Sequence, residues 1–337
     1  MVFAFSAVYV LWEIVTGRSD PLATMTTGKI RIGTRGSPLA LAQAHEARAR
    51  LLGAHPDLVP ETIEIVSLST RGDRIIDRPL SELGGKGLFT EEIEGALLRG
   101  GLDMAVHSMK DMPTALPDGL EIKCFLPRED VHDAFICNSA TMLADLPEGA
   151  LVGTASLRRQ AQILRLRPDL RVEAFRGNVQ TRLRKLDEGL ADATILAMAG
   201  LRRLDLADIP ASIFSIDDML PAVSQGAIGI ETRVGDERIS SMLAPINDSD
   251  TAICVGAERS LLITLDGSCR MPIGGYACLT DKGSLHLRAE ILSPDGSQHF
   301  FAERSGAAKN AVSLGAAAGG ALRVEAGAEF FAALENA

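Results

Sequence analysis

Hydrophobic positions follow two alternating patterns along most of this chain. Short apolar runs of strand length, bounded by glycine or polar residues, predict buried strands, and apolar positions spaced three or four apart predict helices. The predicted strands cover 30–34, 61–68, 102–107, 135–137, 151–154, 172–175 and 194–197, and the predicted helices cover 38–52, 88–98 and segments that begin at Ser156 and Asn178. This alternation predicts α/β domains with largely parallel sheets.

The last third of the chain has a different order. A long helix is predicted over 248–265, with Asp250 close to its start, and three consecutive antiparallel strands over 273–279, 285–292 and 299–303. A terminal helix is predicted over 321–334, after a Gly/Ala-rich segment at 315–320 that is interpreted as a flexible link. The pattern therefore predicts two α/β domains followed by a small α+β domain.

Composition narrows the function classes. The 337 residues are 46% hydrophobic and 23% charged, as in a globular protein of two or three domains. A net charge of −10 argues against a general nucleic-acid binder. Arginine is nevertheless far more frequent than lysine, with 27 residues against 7. Codon usage in a GC-rich genome explains that total, but it does not explain where the arginines cluster.

The N-terminus and the cysteines bear on location. Residues 2–12 are apolar, but the stretch is too short to span a bilayer, has no basic segment before it and is interrupted by Glu13. Residues 1–24 are interpreted as a dispensable extension, and 1–27 as lying outside the folded domains. The five cysteines form no C-x-x-C pair or zinc-site spacing. Free thiols fit a reducing compartment, so we expect a cytoplasmic protein without a metal site or a membrane partner.

Three predicted strand ends carry arginine beside glycine, serine or threonine where a helix begins. They are the runs 34–38, 153–160 and 175–182. Backbone N–H groups at a helix start favour anions, and arginine adds a planar fork that fits a carboxylate. The candidate residues in these runs are Arg35, Ser37, Ser156, Arg158, Arg159, Arg176 and Arg182. Together the runs predict a cleft for a ligand with many carboxylates.

The runs leave different alternatives open. Ser37 before Pro38 fits an ordinary helix cap equally well. Arg158 and Arg159 oppose the macrodipole at the start of their helix, and a bound anion would remove that conflict, which favours the ligand interpretation there. Arg182 lies about one helical turn into its helix, so the same argument for a bound anion applies to the third run.

Lys110 and Asp111 follow a predicted strand in the run 107–113. Ligands of open α/β sheets bind at the carboxyl ends of strands, so this cation and carboxylate are expected to face one cleft. Asp111 there is able to transfer a proton or to stabilise a developing cation. The alternative is an exposed loop in which the two side chains only form an ion pair. That is the usual explanation of a single Lys–Asp pair.

Two glycine-rich segments carry the remaining candidates. Lys86 lies within 84–89, which lacks the spacing of a phosphate-binding P-loop and is better interpreted as a mobile lid. Cys269 lies within 267–275, between glycines, beside Arg270 and before a proline. A neighbouring cation favours the reactive thiolate, whereas the usual free cysteine is a small buried hydrophobe.

Eight motifs, read in order between residues 29 and about 280, resemble the porphobilinogen deaminases, also called hydroxymethylbilane synthases. The motifs are TRGSPLA, TRGD, GGKGLF, HSMKD, GTASLRRQ, RGNVQTRL, LPAVSQGAIGIE and GSCRMPIG. The resemblance implies two α/β domains like those of periplasmic binding proteins and a small C-terminal α+β domain. We expect the first domain to comprise 28–127 and 222–245, the second 128–221, and the third 246–337.

The resemblance also implies a reaction. Four porphobilinogen molecules are joined head-to-tail onto a dipyrromethane cofactor, ammonia is released at each step, and hydrolysis frees hydroxymethylbilane for tetrapyrrole and haem biosynthesis. A monomer is implied, whose product is released or passed to the next tetrapyrrole enzyme.

The resemblance assigns roles to individual residues. Cys269 holds the cofactor through a thioether, and Asp111 is the central catalytic group, with Lys110 beside it. Cofactor binding is implied for Lys110, Asp111, Ser156, Arg158 and Arg159. Substrate binding is implied for Arg35, Ser37, Lys86, Arg176, Arg182 and Gln225.

This chain departs from the family pattern at Ala155, which replaces a serine, and at Ser268 and Arg270 around the cysteine. Two other functions compete with the resemblance. A non-catalytic polycarboxylate-binding module would need neither the thiol nor the Lys–Asp pair. A cysteine-nucleophile enzyme would need a base, for which His107 is the candidate.

Overall fold

The computed structural model describes residues 29–74, 90–267, 271–280 and 283–335. The predicted extension at 1–24, Lys86 with its neighbouring glycines, and Cys269 with Ser268 and Arg270 lie outside the described residues. Among the described helices, none combines the length and the apolar character needed to cross a membrane.

The predicted strands and helices are present, and the described residues add three strands that were not predicted, at 120–125, 212–213 and 228–233. The strands are β1 (Ile30–Arg35), β2 (Ile63–Leu68), β3 (Met104–Ser108), β4 (Leu120–Phe125), β5 (Asp133–Cys137), β6 (Leu151–Gly153), β7 (Arg171–Glu173), β8 (Ala193–Ala197), β9 (Ser212–Ile213), β10 (Ile228–Arg233), β11 (Ile273–Leu279), β12 (Ser284–Leu292) and β13 (His299–Ala307). The α-helices are α1 (Pro38–Ala54), α2 (Arg71–Arg74), α3 (Glu91–Leu98), α4 (Leu157–Leu166), α5 (Val179–Asp187), α6 (Met198–Arg202), α7 (Glu237–Leu243), α8 (Ser249–Thr264) and α9 (Ala311–Glu335).

The strands form three sheets. The first has the order β2-β1-β3-β10-β4, the second β7-β6-β8-β5-β9, and the third β11-β12-β13. Two mixed sheets with packed helices and a small antiparallel sheet with α8 and α9 confirm the predicted fold class. Strand β10 joins the first sheet although it comes after every strand of the second, so the chain crosses between these two sheets twice, at 126–132 and 214–227.

The prediction of largely parallel sheets is wrong for half of the pairings. β1 is parallel to β2 and β3, and β6 to β7 and β8. In contrast β10 is antiparallel to β3 and β4, and β5 to β8 and β9. Each of these two strands follows a crossing, so it enters its sheet at the edge where the neighbouring parallel strands end. It must therefore run in the opposite direction.

A buried ion pair ties the two crossings to the third sheet. Arg128, in the first crossing, donates to both carboxylate oxygens of Glu258 on α8, over 2.7 and 3.0 Å. Glu258 also accepts the backbone N–H groups of Ser224, in the second crossing, and Ala277, on β11, at 2.6 and 2.7 Å. Because Glu258 is fully buried, these four hydrogen bonds compensate the cost of desolvating its charge.

The C-terminal helix corrects one prediction. Residues 315–320 are not a flexible link but belong to α9, which packs along α8 and changes direction only at Gly327, where φ is 77°. A β-carbon added at Gly315 would collide with the carbonyl oxygen of Ala257, and one at Gly319 would lie 2.8 Å from Cβ of Thr264. The glycines are therefore at these positions because the two helices approach closely.

We expect Gly315→Ala to lower the free energy of unfolding by about 1–3 kcal/mol, because the added methyl group forces α9 away from α8. Urea denaturation followed by circular dichroism measures this change. Gly320→Ala is the matched control, since a β-carbon there meets nothing within 4 Å and alanine favours a helix. A Gly315→Ala protein as stable as the control would contradict the close packing of these helices.

Candidate functional site

The catalytic candidates Lys110 and Asp111 lie on one turn of 3-10 helix, Met109–Asp111, that follows β3 directly. Met109 is buried, which anchors the turn in the core of the first sheet. Asp111 is exposed, whereas Lys110 is half-buried. The turn thus places a carboxylate and an ammonium side by side at the carboxyl end of a strand.

Lys110 donates a hydrogen bond to Oε1 of Gln225 over 3.3 Å. Burial lowers the pKa of Lys110 to about 8, and the positive charges of Arg159 and Arg158 act in the same direction. The carboxylates of Asp111 and Asp133 partly oppose them. Residues from the first sheet and from α4 of the second therefore share one electrostatic environment.

A pocket joins the start of α1 to the end of β3. Arg35, Ser37 and Asp111 all line it, so the structure brings two predicted substrate-binding residues beside the catalytic candidate. Ser37 caps α1, with its Oγ accepting the N–H of Ala40 at 3.3 Å, as the capping interpretation expects. Its contact with substrate stays a prediction.

Gln43 is a polar residue in this pocket that the sequence analysis missed. It lies on α1, and its Nε2 and Oε1 are 2.8 and 3.0 Å from Oγ of Ser108, the last residue of β3. A buried glutamine inside an Ala/Leu-rich helix was the available signal, but without its distant partner the residue fits an ordinary polar position on a helix.

Arg158 and Arg159 are buried against a protein carboxylate, Asp133, the first residue of β5. Arg158 Nη2 donates to Oδ2 of Asp133 over 2.7 Å, and Arg159 Nη2 donates to Oδ1 over 2.7 Å. Each arginine also donates to a backbone carbonyl, of Leu220 and Ile195 respectively. The anion that relieves their mutual repulsion in this structure is therefore Asp133. Their predicted contact with the cofactor stays a prediction.

Asp133 was missed because it begins an ordinary apolar run, 25 residues before Arg158. The carboxylate is fully buried, which by itself would raise its pKa. The guanidinium groups of Arg158 and Arg159, with hydrogen bonds from Arg159 and Gln225, instead hold the pKa of Asp133 well below its usual range. Asp133 is thus a permanent anion beneath the site.

Ser156 and Arg176 occupy the starts of α4 and α5 in the way their sequence context predicts. Ser156 caps α4 by accepting the N–H of Arg159 at 3.4 Å. Arg176 is half-buried, and its Nη1 is shielded from solvent with no hydrogen-bond partner among the described residues. Nε of Arg158 is also shielded from solvent and has no hydrogen-bond partner among the described residues. Buried donors without acceptors are costly, so these two atoms mark positions where a ligand oxygen fits.

Arg182 donates through Nε to the carbonyl oxygen of Gly177, over 2.9 Å. Burial lowers its pKa to about 10, and repulsion from Arg159 and Arg176 adds to that effect, while Asp111 opposes it. Mutual repulsion among cations held this closely favours a bound anion.

Gln225 is fully buried and lies behind Lys110. Its Nε2 donates to the carbonyl oxygen of Val131 and to Oδ1 of Asp133, over 2.7 and 2.9 Å. Its direct contact with substrate stays a prediction, and the contacts observed here connect Lys110 to Asp133.

Three of the four cysteines within the described residues are poor candidates for a reactive thiol. Burial raises the pKa of Cys124 to about 12 and that of Cys254 to about 11, and it also raises the pKa of Cys278. These thiols stay protonated at neutral pH and therefore react slowly. The role of Cys269, which lies outside the described residues, stays a prediction.

The chain matches known proteins over most of its length. Residues 30–241 match the family described as porphobilinogen deaminase, dipyromethane cofactor binding domain, and residues 252–323 match the porphobilinogen deaminase C-terminal domain. It is 56% identical to the porphobilinogen deaminase of Nitrobacter hamburgensis, over 94% of this chain and 97% of the relative. It is 54% identical to the chloroplastic porphobilinogen deaminase of Oryza sativa, over 91% of this chain and 86% of the relative.

Similarity to solved structures is weaker. A methionine-binding protein is 13% identical with a TM-score of 0.42, over 69% of this chain and 93% of that one, a level that supports no inference. The two domain matches and the identity to the bacterial and plant relatives are sufficient without it. This chain belongs to the porphobilinogen deaminase family.

Proposed function

We propose that this protein joins four porphobilinogen molecules head-to-tail onto a dipyrromethane primer attached to Cys269, releases ammonia at each step, and frees hydroxymethylbilane by hydrolysis. The observation that carries the proposal is the position of Lys110 and Asp111 in the same electrostatic environment as Arg158, Arg159 and Arg182. In a protein of net charge −10, this local excess of cations suits a substrate whose every ring carries two carboxylates.

The residues around the site fit a polycarboxylate cofactor. Nε of Arg158 is a buried donor without a protein partner among the described residues, and Lys110 carries further N–H donors beside the one given to Gln225. We infer that these groups, together with Arg159 and Ser156, hold its acetate and propionate groups. When bound, the dipyrromethane supplies the free pyrrole carbon to which the first substrate ring is joined.

Asp111 is the proposed catalytic group. Its carboxylate is exposed in the pocket that also contains Arg35 and Ser37, so it is accessible to a substrate ring held there. Departure of the aminomethyl nitrogen leaves positive charge on the pyrrole, and a preorganised carboxylate stabilises that charge more in the transition state than in the ground state.

Lys110 is proposed to assist Asp111. With a pKa of about 8, its ammonium exchanges a proton near neutral pH, which suits a group beside a departing amine.

Substrate carboxylates are proposed to bind Arg35, Ser37, Arg176 and Arg182, with Lys86 and Gln225 completing the site. Each well-made charged hydrogen bond contributes about 1.5–3 kcal/mol, so a few are sufficient to select a substrate with two carboxylates. Because Gln225 is fully buried, it contributes to the site through its hydrogen bond with Lys110.

The wider setting is also proposed. Strands β1–β4 and β10 share one sheet and β5–β9 another, which supports domains at 28–127 with 222–245, at 128–221 and at 246–337. We infer a cytoplasmic protein, because free thiols fit a reducing compartment, and a monomer, as the family resemblance implies. We further propose that its product is released or passed to the next tetrapyrrole enzyme.

The competing functions explain less. A polycarboxylate-binding module needs no catalytic carboxylate or tethering thiol, and the match to a cofactor-binding domain over residues 30–241 does not favour it. A cysteine nucleophile with His107 as its base is also disfavoured, because Nε2 of His107 is held 3.0 Å from the fully buried Glu231.

The attachment of the cofactor is tested by intact mass. We expect the purified protein to carry an added mass equal to two linked pyrrole units, and Cys269→Ser to lack it. Cys278→Ser is the matched control, because Cys278 is a half-buried cysteine of the same C-terminal region, and it should keep the added mass. An active wild-type protein of unmodified mass would contradict the assignment.

The role of Asp111 is tested by kinetics. Asp111→Ala should lower the rate of ammonia release by at least about 100-fold, since the group acts in the transition state. Asp118→Ala removes an exposed carboxylate from the following loop and should be close to wild type. Circular dichroism checks that both variants fold, and normal turnover by a folded Asp111→Ala protein would show that the role is misassigned.

The arginine cleft is tested at α5. Arg176→Ala should lower kcat/KM for porphobilinogen at least about tenfold, which corresponds to one lost charged hydrogen bond, and stalled intermediates should appear in the mass spectrum. Arg184→Ala is the control on α5, the helix that follows Arg176, because Arg184 is exposed and pairs with Glu188 over 2.8 Å. Equal kinetics for the two variants would count against carboxylate binding by Arg176.

A further inference from the structure

Asp133 lies at the meeting point of the charged groups beneath the site. Its two carboxylate oxygens accept hydrogen bonds from Arg158, Arg159 and Gln225, with the shortest contact to each between 2.7 and 2.9 Å. The carboxylate is fully buried, and both arginines are almost fully buried. No substrate group is therefore expected to reach Asp133 directly.

A hydrogen-bonded chain leads from Asp133 to the catalytic turn. The amide nitrogen of Gln225 has two acceptors, Oδ1 of Asp133 and the carbonyl oxygen of Val131. Rotating the amide by half a turn would place its oxygen against both acceptors, so the orientation is fixed. Oε1 of Gln225 therefore faces Lys110, whose Nζ donates to it over 3.3 Å.

We propose that Asp133 is a positioning residue that, through the oriented amide of Gln225, holds the Lys110 ammonium in place beside Asp111. Asp133 is the first residue of β5, which follows the first crossing, and Gln225 lies in the second crossing. The hydrogen bonds from Asp133 through Gln225 to Lys110 therefore join the second sheet to the turn after β3. The inference rests on the proposed function only where turnover is measured.

The charges around Lys110 determine the expected effect of removing Asp133. Arg158 and Arg159 disfavour the Lys110 ammonium, and Asp111 and Asp133 favour it. Replacing Asp133 by the isosteric asparagine removes one favourable charge and leaves both arginines without their counter-ion. The ammonium is then less stable, so its pKa must fall and the alkaline limb of the pH–rate profile must move to lower pH.

The test is competitive labelling of lysines with a trace of acetic anhydride across a pH series, read by peptide mass spectrometry. No substrate is added, and the intact mass confirms that the proteins compared carry the same cofactor. In Asp133→Asn, Lys110 should titrate at lower pH than in the wild type. Asp130→Asn is the matched control, because Asp130 lies on the same segment but pairs with His132 and Arg202, and it should leave Lys110 unchanged.

Gln225→Leu is the second variant and remains informative where Asp133→Asn does not fold. It keeps the pairs between Asp133 and the two arginines but breaks the chain to Lys110. We expect the Lys110 titration to move to lower pH here too, and kcat/KM to fall on the order of 100-fold through misplacement of the ammonium. A folded variant of either kind with the wild-type titration of Lys110 would overturn the proposal.

The two conclusions fail in different ways. If wild-type protein does not consume porphobilinogen, the proposed function fails, while a shifted Lys110 titration in the variants still supports the role of Asp133. If the wild type is active and the titration does not shift, the positioning role fails alone.

Discussion

The pairing of one buried carboxylate with two arginines is the interaction on which the site depends. Two buried guanidinium groups side by side repel each other and lose their hydration. Without a counter-ion, this free-energy cost would destabilise the folded protein. Asp133 pairs with both guanidinium groups and leaves single N–H donors, such as Nε of Arg158, without an acceptor among the described residues. The protein therefore presents cations to a ligand without leaving their full charge uncompensated.

A second buried ion pair, between Arg128 and Glu258, performs a different task. It joins the two crossings to the third sheet, and Nε of Arg128 also donates to the backbone carbonyl of Gln225, over 2.9 Å. Gln225 is thus held through its backbone by one ion pair and through its side chain by the other. The position of the catalytic turn relative to the second sheet is consequently determined by groups that belong to all three parts of the chain.

Local sequence was sufficient to predict most helices and strands, and the site residues at their ends. Helix caps such as Ser156 and Asn178, and strand ends such as Arg35, are determined by neighbours a few residues away. Asp133 and Gln43 were missed because their significance depends on partners at least 25 residues away. Residues 315–320 were misinterpreted for a related reason: glycine disfavours an isolated helix, but close packing against α8 requires it.

The position of β10 has a consequence for synthesis of the chain. In the first sheet β10 lies between β3 and β4, yet it is made only after all five strands of the second sheet. Until residue 233 has left the ribosome, β4 lacks its partner among the described strands, and the side of β3 that pairs with β10 is an open edge. The second sheet, whose strands are contiguous in sequence, is complete first. The part of the protein that carries the catalytic turn therefore finishes folding later, although it is translated earlier.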